Sequence, residues 1–171
     1  MDNNVFFKEV FDVLDVNCDT SVAENVNRIH CEGIETQTDL LLDLYSPVFN
    51  VKKGEKINVL LVKEIQSGKR KLENDDSDME VYDANGQSST VDPLDTSSIL
   101  NEYSKFKYIM HGKIYKIENK MISTNEPIIA VYASFGGLLF RLQTSLENHS
   151  DWHIDRNLYL LIRREKKKSS E

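Results

Sequence analysis

The chain has 171 residues, with 21 Lys plus Arg against 28 Asp plus Glu for a net charge of −7, which is one domain's worth of sequence and the wrong sign for autonomous nucleic-acid binding through counterion release. Its two cysteines, Cys18 and Cys31, are too few for a disulfide framework and lack the paired spacing of zinc sites, so a reducing compartment is expected. No basic segment precedes an apolar run at the N-terminus and no run nears about 18 apolar residues, so neither a secretory leader nor a membrane span is predicted, and the chain reads as soluble and intracellular.

Apolar residues recur at every second position in short runs bounded by turn residues, which predicts strands rather than helices. In chain order these are Phe6 to Val16, Val26 to Glu32, Asp39 to Tyr45 and Lys56 to Ile65, then Lys107 to Glu118, Ile128 to Phe135, Leu138 to Gln143 and Leu158 to Arg164. In the third run Leu40, Leu42 and Leu44 share one face, the predicted core face. The fifth run breaks the alternation: Tyr108, Met110 and Ile114 lie on one face but Ile117 lies on the other, and Gly112 is the predicted bulge.

Between the fourth and fifth runs, Gln66 to Glu102 holds nine acidic residues and three cations (Lys69, Arg70, Lys71). With Ser67-Gly68, Asn85-Gly86 and Asp92-Pro93 in it, the segment is expected to be a solvated, disordered excursion from a single domain. The ending RREKKKSSE is basic, and residues 165–171 are expected to be a solvated tail or a nuclear address.

The sharpest local signal is PIIAVYASF joined to LLFRLQ by Gly136-Gly137, the pair a two-residue type I′ turn demands. That turn fixes the register: Phe135 opposite Leu138, Ala133 opposite Phe140 and Val131 opposite Leu142 on the core face. Ser134 then faces Leu139, and Tyr132 faces Arg141 within reach of a cation–π contact. An outward Leu139 beside Tyr132 makes this face a candidate partner contact. Eight short strands without helices imply a closed or nearly closed barrel of the oligonucleotide/oligosaccharide-binding type, or a sandwich.

Catalytic constellations are weak. Asp39 and Asp43 share a face but lie roughly 13 Å apart at strand rise, too far to share a proton. His149, Asp151 and His153 could approach a metal only on a helix, and ENHSDWHIDRN reads as a loop with Trp152 and Ile154 packing inward. Cys18, His30 and Cys31 could be posed as a Cys/His nucleophile, yet Cys31 is in phase with the core. Phe6, Phe7 and Phe11 with Lys8, or Arg28 with His30, could be posed as a single-strand-binding cluster, but core packing accounts for the phenylalanines. No phosphate loop is present, so neither catalysis, a metal, a cofactor nor a small-molecule substrate is expected.

The strings YIMHGKIYKIE, IAVYASFGGLLFRLQ and YLLIRR, preceded in order by VFFKEVFDV, VNRIHCEG and LLLDLYSPVFNV, resemble the small common subunit of eukaryotic nuclear RNA polymerases I, II and III, the eighth-subunit family. The likeness runs from Val5 to Arg164 and skips the acidic insert; His111 stands where the family usually has Tyr and Phe140 where it usually has Met. The resemblance implies an eight-stranded antiparallel barrel of the oligonucleotide-binding type and a non-catalytic subunit that docks on the largest polymerase chain and supports assembly. It also implies a location in the nucleus, including the nucleolus through polymerase I. Weak, sequence-independent single-stranded DNA binding is implied for Asn17 to Leu40, where Arg28 is the main cation. The hairpin's outer face and tip, Tyr132, Ser134, Phe135, Gly136, Gly137, Leu139 and Arg141, are the expected docking residues.

Overall fold

The computed structural model describes residues 4–17, 23–65, 103–121, 126–146 and 152–166; the whole acidic segment, 66–102, and residues 167–171 lie outside them. Eight strands follow in chain order: β1 (Val5–Val16), β2 (Val26–Gly33), β3 (Asp39–Tyr45), β4 (Lys56–Val62), β5 (Tyr108–Met121), β6 (Pro127–Phe135), β7 (Leu138–Ser145) and β8 (Asn157–Arg164). They close into one barrel in the order β1-β2-β3-β7-β6-β5-β8-β4, and every ladder is antiparallel. The expected fold class holds, and the sandwich alternative falls because β4 pairs with both β1 and β8 and leaves the sheet without an end strand. The barrel lies in the first of two compact units, Met1–Glu64 with Lys105–Glu171; the second is Ile65–Ser104.

Alternation builds the interior. Phe7, Phe11 and Val13 from β1, Ile29 and Cys31 from β2, and Leu40, Leu42 and Leu44 from β3 are buried together with Val131, Ala133, Phe140 and Leu142 from the β6–β7 hairpin. The hairpin register is the predicted one through Phe135↔Leu138, Ala133↔Phe140 and Val131↔Leu142. Gly136 and Gly137 turn it with φ of 61° and 90°, values an L side chain rarely adopts.

Two features depart from the expected pattern. The bulge in β5 is at Tyr115, between Ile114 and Lys116 in the pairing with β6, and Gly112 stays in regular register opposite Leu158. One extra residue there lets Ile114 and Ile117 both turn inward, which resolves the broken alternation. Gly112 answers a different need: a Cβ there would collide with the Ser134 carbonyl oxygen and lie 2.5 Å from Phe135 Cδ1. Second, Leu60 and Leu161, paired across β4 and β8, alternate with the interior residues Val59, Leu61, Leu160 and Ile162 and so face away from the interior, yet both are buried. At Leu60 and Leu161 the β4–β8 strip is therefore apolar on both faces, as the run Val59-Leu60-Leu61-Val62 records.

Candidate docking surface

On β2, β3, β7 and β6 the residues out of phase with the core form a continuous polar and aromatic face. Arg28 lies opposite Asp43, and its guanidinium grips the carboxylate with two hydrogen bonds, Nε to Oδ1 at 2.7 Å and Nη2 to Oδ2 at 3.0 Å. Asp43 is only 4% exposed, and its Oδ2 also accepts the Leu139 N–H at 3.0 Å. That third bond falls where the β3–β7 ladder ends at Leu42↔Phe140, so a side chain carries the hairpin's attachment onward once backbone pairing stops.

At the other end of β3, Asp39 braces the ladder from within it. It accepts hydrogen bonds from Arg141 Nη2 at 2.8 Å and Gln143 Nε2 at 3.3 Å, and pairs closely with His30 Nε2. Burial pushes its pKa up, but the hydrogen bonds from His30 and Arg141 and their charges outweigh that and hold the carboxyl below its usual 3.8. The two acids that sequence spacing set apart are thus separate anchors for neighbouring strands, each with its own cation.

Further round the barrel, the Tyr132 hydroxyl donates to Glu118 Oε2 at 3.0 Å, and Lys116 Nζ sits 5.1 Å from the Tyr132 ring centroid and 2.6 Å from Glu118 Oε1. The cation over Tyr132 is therefore Lys116, while Arg141, the partner expected from register alone, turns to Asp39. Tyr115, pushed outward by the bulge, is exposed with its ring 6.3 Å from that of Tyr132. Spacing alone did not identify Tyr115 as part of this face; the signal for it was the break in alternation after Ile114.

Of the expected docking residues, Tyr132, Ser134, Leu139 and Arg141 share this outer face and are half-buried, and Gly136 and Gly137 form an exposed tip. Phe135 departs from that expectation: its side chain is buried and meets Phe140 edge-on at 5.8 Å, so it offers no side-chain surface. Within Asn17 to Leu40, Arg28 is committed to Asp43, Ile29, Cys31 and Leu40 are in the core, and Cys18 to Val22 lie outside the described residues.

The remaining candidates disperse. Phe7 and Phe11 are core, and Phe6 packs edge-on against buried Trp152 at 4.4 Å. Ile154, expected to pack inward with Trp152, is instead 54% exposed, next to Asp155, whose backbone is left-handed with φ 68°. His153 Nε2 accepts a hydrogen bond from Arg156 Nε at 3.1 Å, while His149 and Asp151 lie outside the described residues. Among the described residues no group of three or more His, Cys, Asp or Glu side chains is placed to hold a metal.

Comparison with known proteins bears on the whole barrel. The family described as RNA polymerase Rpb8 matches residues 8–164. Among curated relatives, DNA-directed RNA polymerases I, II, and III subunit RPABC3 of Saccharomyces cerevisiae is 30% identical over 95% of this chain and 99% of its own length. The probable RPABC3 subunit of the same three polymerases in Caenorhabditis elegans is 27% identical over 94% of this chain and 96% of its own. DNA-directed RNA polymerases II, IV and V subunit 8B of Arabidopsis thaliana is 27% identical over 95% and 97%. With a match that runs from β1 to the end of β8, this chain belongs to the RNA polymerase Rpb8 family.

Proposed function

We propose that this protein is a non-catalytic subunit common to DNA-directed RNA polymerases I, II and III, which docks on the largest subunit and supports assembly of the transcribing enzyme. The observation that carries the reading is the family match across residues 8–164, together with relatives whose names assign them to all three polymerases. The outer face of the β6–β7 hairpin suits a docking role, since Tyr132 and Leu139 are half-buried beside exposed Tyr115 and aromatic anchors are enriched in interfaces. The reading implies a nuclear location, including the nucleolus where polymerase I would carry it.

The test is affinity purification of the tagged chain followed by mass spectrometry. The largest subunits of all three enzymes are expected in the eluate; recovery of the chain alone, or with one class of enzyme only, overturns the reading. Oligonucleotide binding by the isolated chain that weakens steeply with salt would favour an autonomous single-strand-binding module instead. The commitment of Arg28 to Asp43 argues against that alternative.

A further inference from the structure

Among the described residues, the last part of β5 has a partner on one side only. β8 pairs with β5 from Tyr108 to Lys113, and the contact closes at Ile114, whose N–H donates to Arg156 O at 3.0 Å and whose carbonyl accepts the Asp155 N–H at 2.9 Å. Asp155 has a left-handed backbone, a conformation Asp tolerates better than most residues. Beyond that point β5 continues to Met121, and among the described residues it pairs there with β6 alone.

The direction of the free groups follows from the bulge. Ile114 aims its N–H and C=O away from β6; the extra residue at Tyr115 advances the alternation by one, so Ile117, Asn119 and Met121 aim theirs the same way. No described group bonds to them. Edge strands are commonly blunted by lysines, and Lys116 and Lys120 occupy this one. Both are drawn to Glu118 on the outer face, at 2.6 Å and 3.6 Å, and so do not lie over the row of backbone groups.

A strand laid along this row would set alternate side chains beside two environments. The outer one holds Lys113, Lys116 and Lys120 with Glu118; the inner one holds Ile117 and Met121 on either side of Asn119, Met121 being 72% exposed. We propose that β5 from Ile117 to Met121 accepts, as an added strand, an extended segment of a partner protein that alternates acidic and apolar side chains. That the segment comes from a polymerase subunit rests on the function proposed above; the acceptor edge does not.

Amide hydrogen exchange on the chain within the purified polymerase, against the isolated chain, tests the proposal. The amides of Ile117, Asn119 and Met121 are expected to exchange at least about tenfold more slowly in the complex; exchange as fast as in the isolated chain overturns the proposal and leaves the polymerase reading intact. Should the chain purify alone, the polymerase reading falls, and the edge is tested with an acetylated seven-residue peptide alternating glutamate and valine. Amide resonance shifts confined to Tyr115–Met121 are expected; no shift, or equal shifts with a lysine–valine peptide, overturns it. Asn119→Pro removes an outward N–H without touching the β6 ladder, so it should weaken peptide binding about tenfold with an unchanged unfolding midpoint. Undiminished binding by that variant also counts against the edge.

Discussion

Single side chains in this barrel do work that backbone pairing leaves unfinished. Gly112 is required by close approach, since the Ser134 carbonyl and the Phe135 ring occupy the space a Cβ would take. Because one obstacle is backbone inside a β5–β6 ladder, it cannot swing aside, and Gly112→Ala should cost about 3 kcal/mol or more, read as a lowered urea midpoint at unchanged slope. Asp39 gives a pH prediction. Its folded pKa lies below the usual 3.8, so its stabilising contribution is complete above the unfolded value and is lost as pH falls through the folded one. The stability difference between the natural chain and Asp39→Asn should therefore be present at neutral pH and shrink toward zero on acidification below 3.8; a difference that stays constant from neutral to acid pH would show that the charge of Asp39 is not what matters.

At the level of elements, what was legible was local. Gly136-Gly137 specified the hairpin and its register because a two-residue turn permits only one pairing of the flanking alternation. The Leu40, Leu42 and Leu44 stripe specified the inner face of β3 for the same reason. Less legible were the bulge, where a glycine drew attention from the true parity break at Tyr115, and the outward burial of Leu60 and Leu161. The β3–β7 and β4–β8 partnerships were invisible because they join segments far apart in sequence with no turn to fix them. The hairpin's two faces make a paired prediction. Leu142→Ala empties a fully buried site and should cost about 2–5 kcal/mol, while the protein that remains folded still co-purifies with its partner. Leu139→Glu lies on the outer face and should cost about 1 kcal/mol or less yet weaken co-purification; unchanged recovery would remove that face from the docking surface.

For the molecule as a whole, the net charge separates into parts. Gln66 to Glu102 carries −6 of the net charge of −7, so acidity says little about what the barrel itself touches. We propose that the chain is one barrel domain with residues 66–102 as an excursion between β4 and β5, and the topology shows how to test it. A cut between those strands leaves β1 to β4 on one fragment and β5 to β8 on the other. Each fragment keeps three ladders of its own, and among the described residues the ladders that join the two are β3–β7 and β4–β8. Both joining ladders carry buried apolar residues, Leu40 and Leu42 against Leu142 and Phe140 in one, and Val59 to Leu61 against Leu160 to Ile162 in the other. Burial of that kind stabilises by about 25 cal/mol per Å² removed from water, without needing the chain to be continuous. Limited trypsin digestion is therefore expected to cut first at Lys69, Arg70 or Lys71, and the nicked protein should elute from a sizing column as one species under native conditions. The two fragments should part only in denaturant. Early cleavage inside a strand, or fragments that separate as soon as they form, would mean that the acidic segment helps to close the barrel.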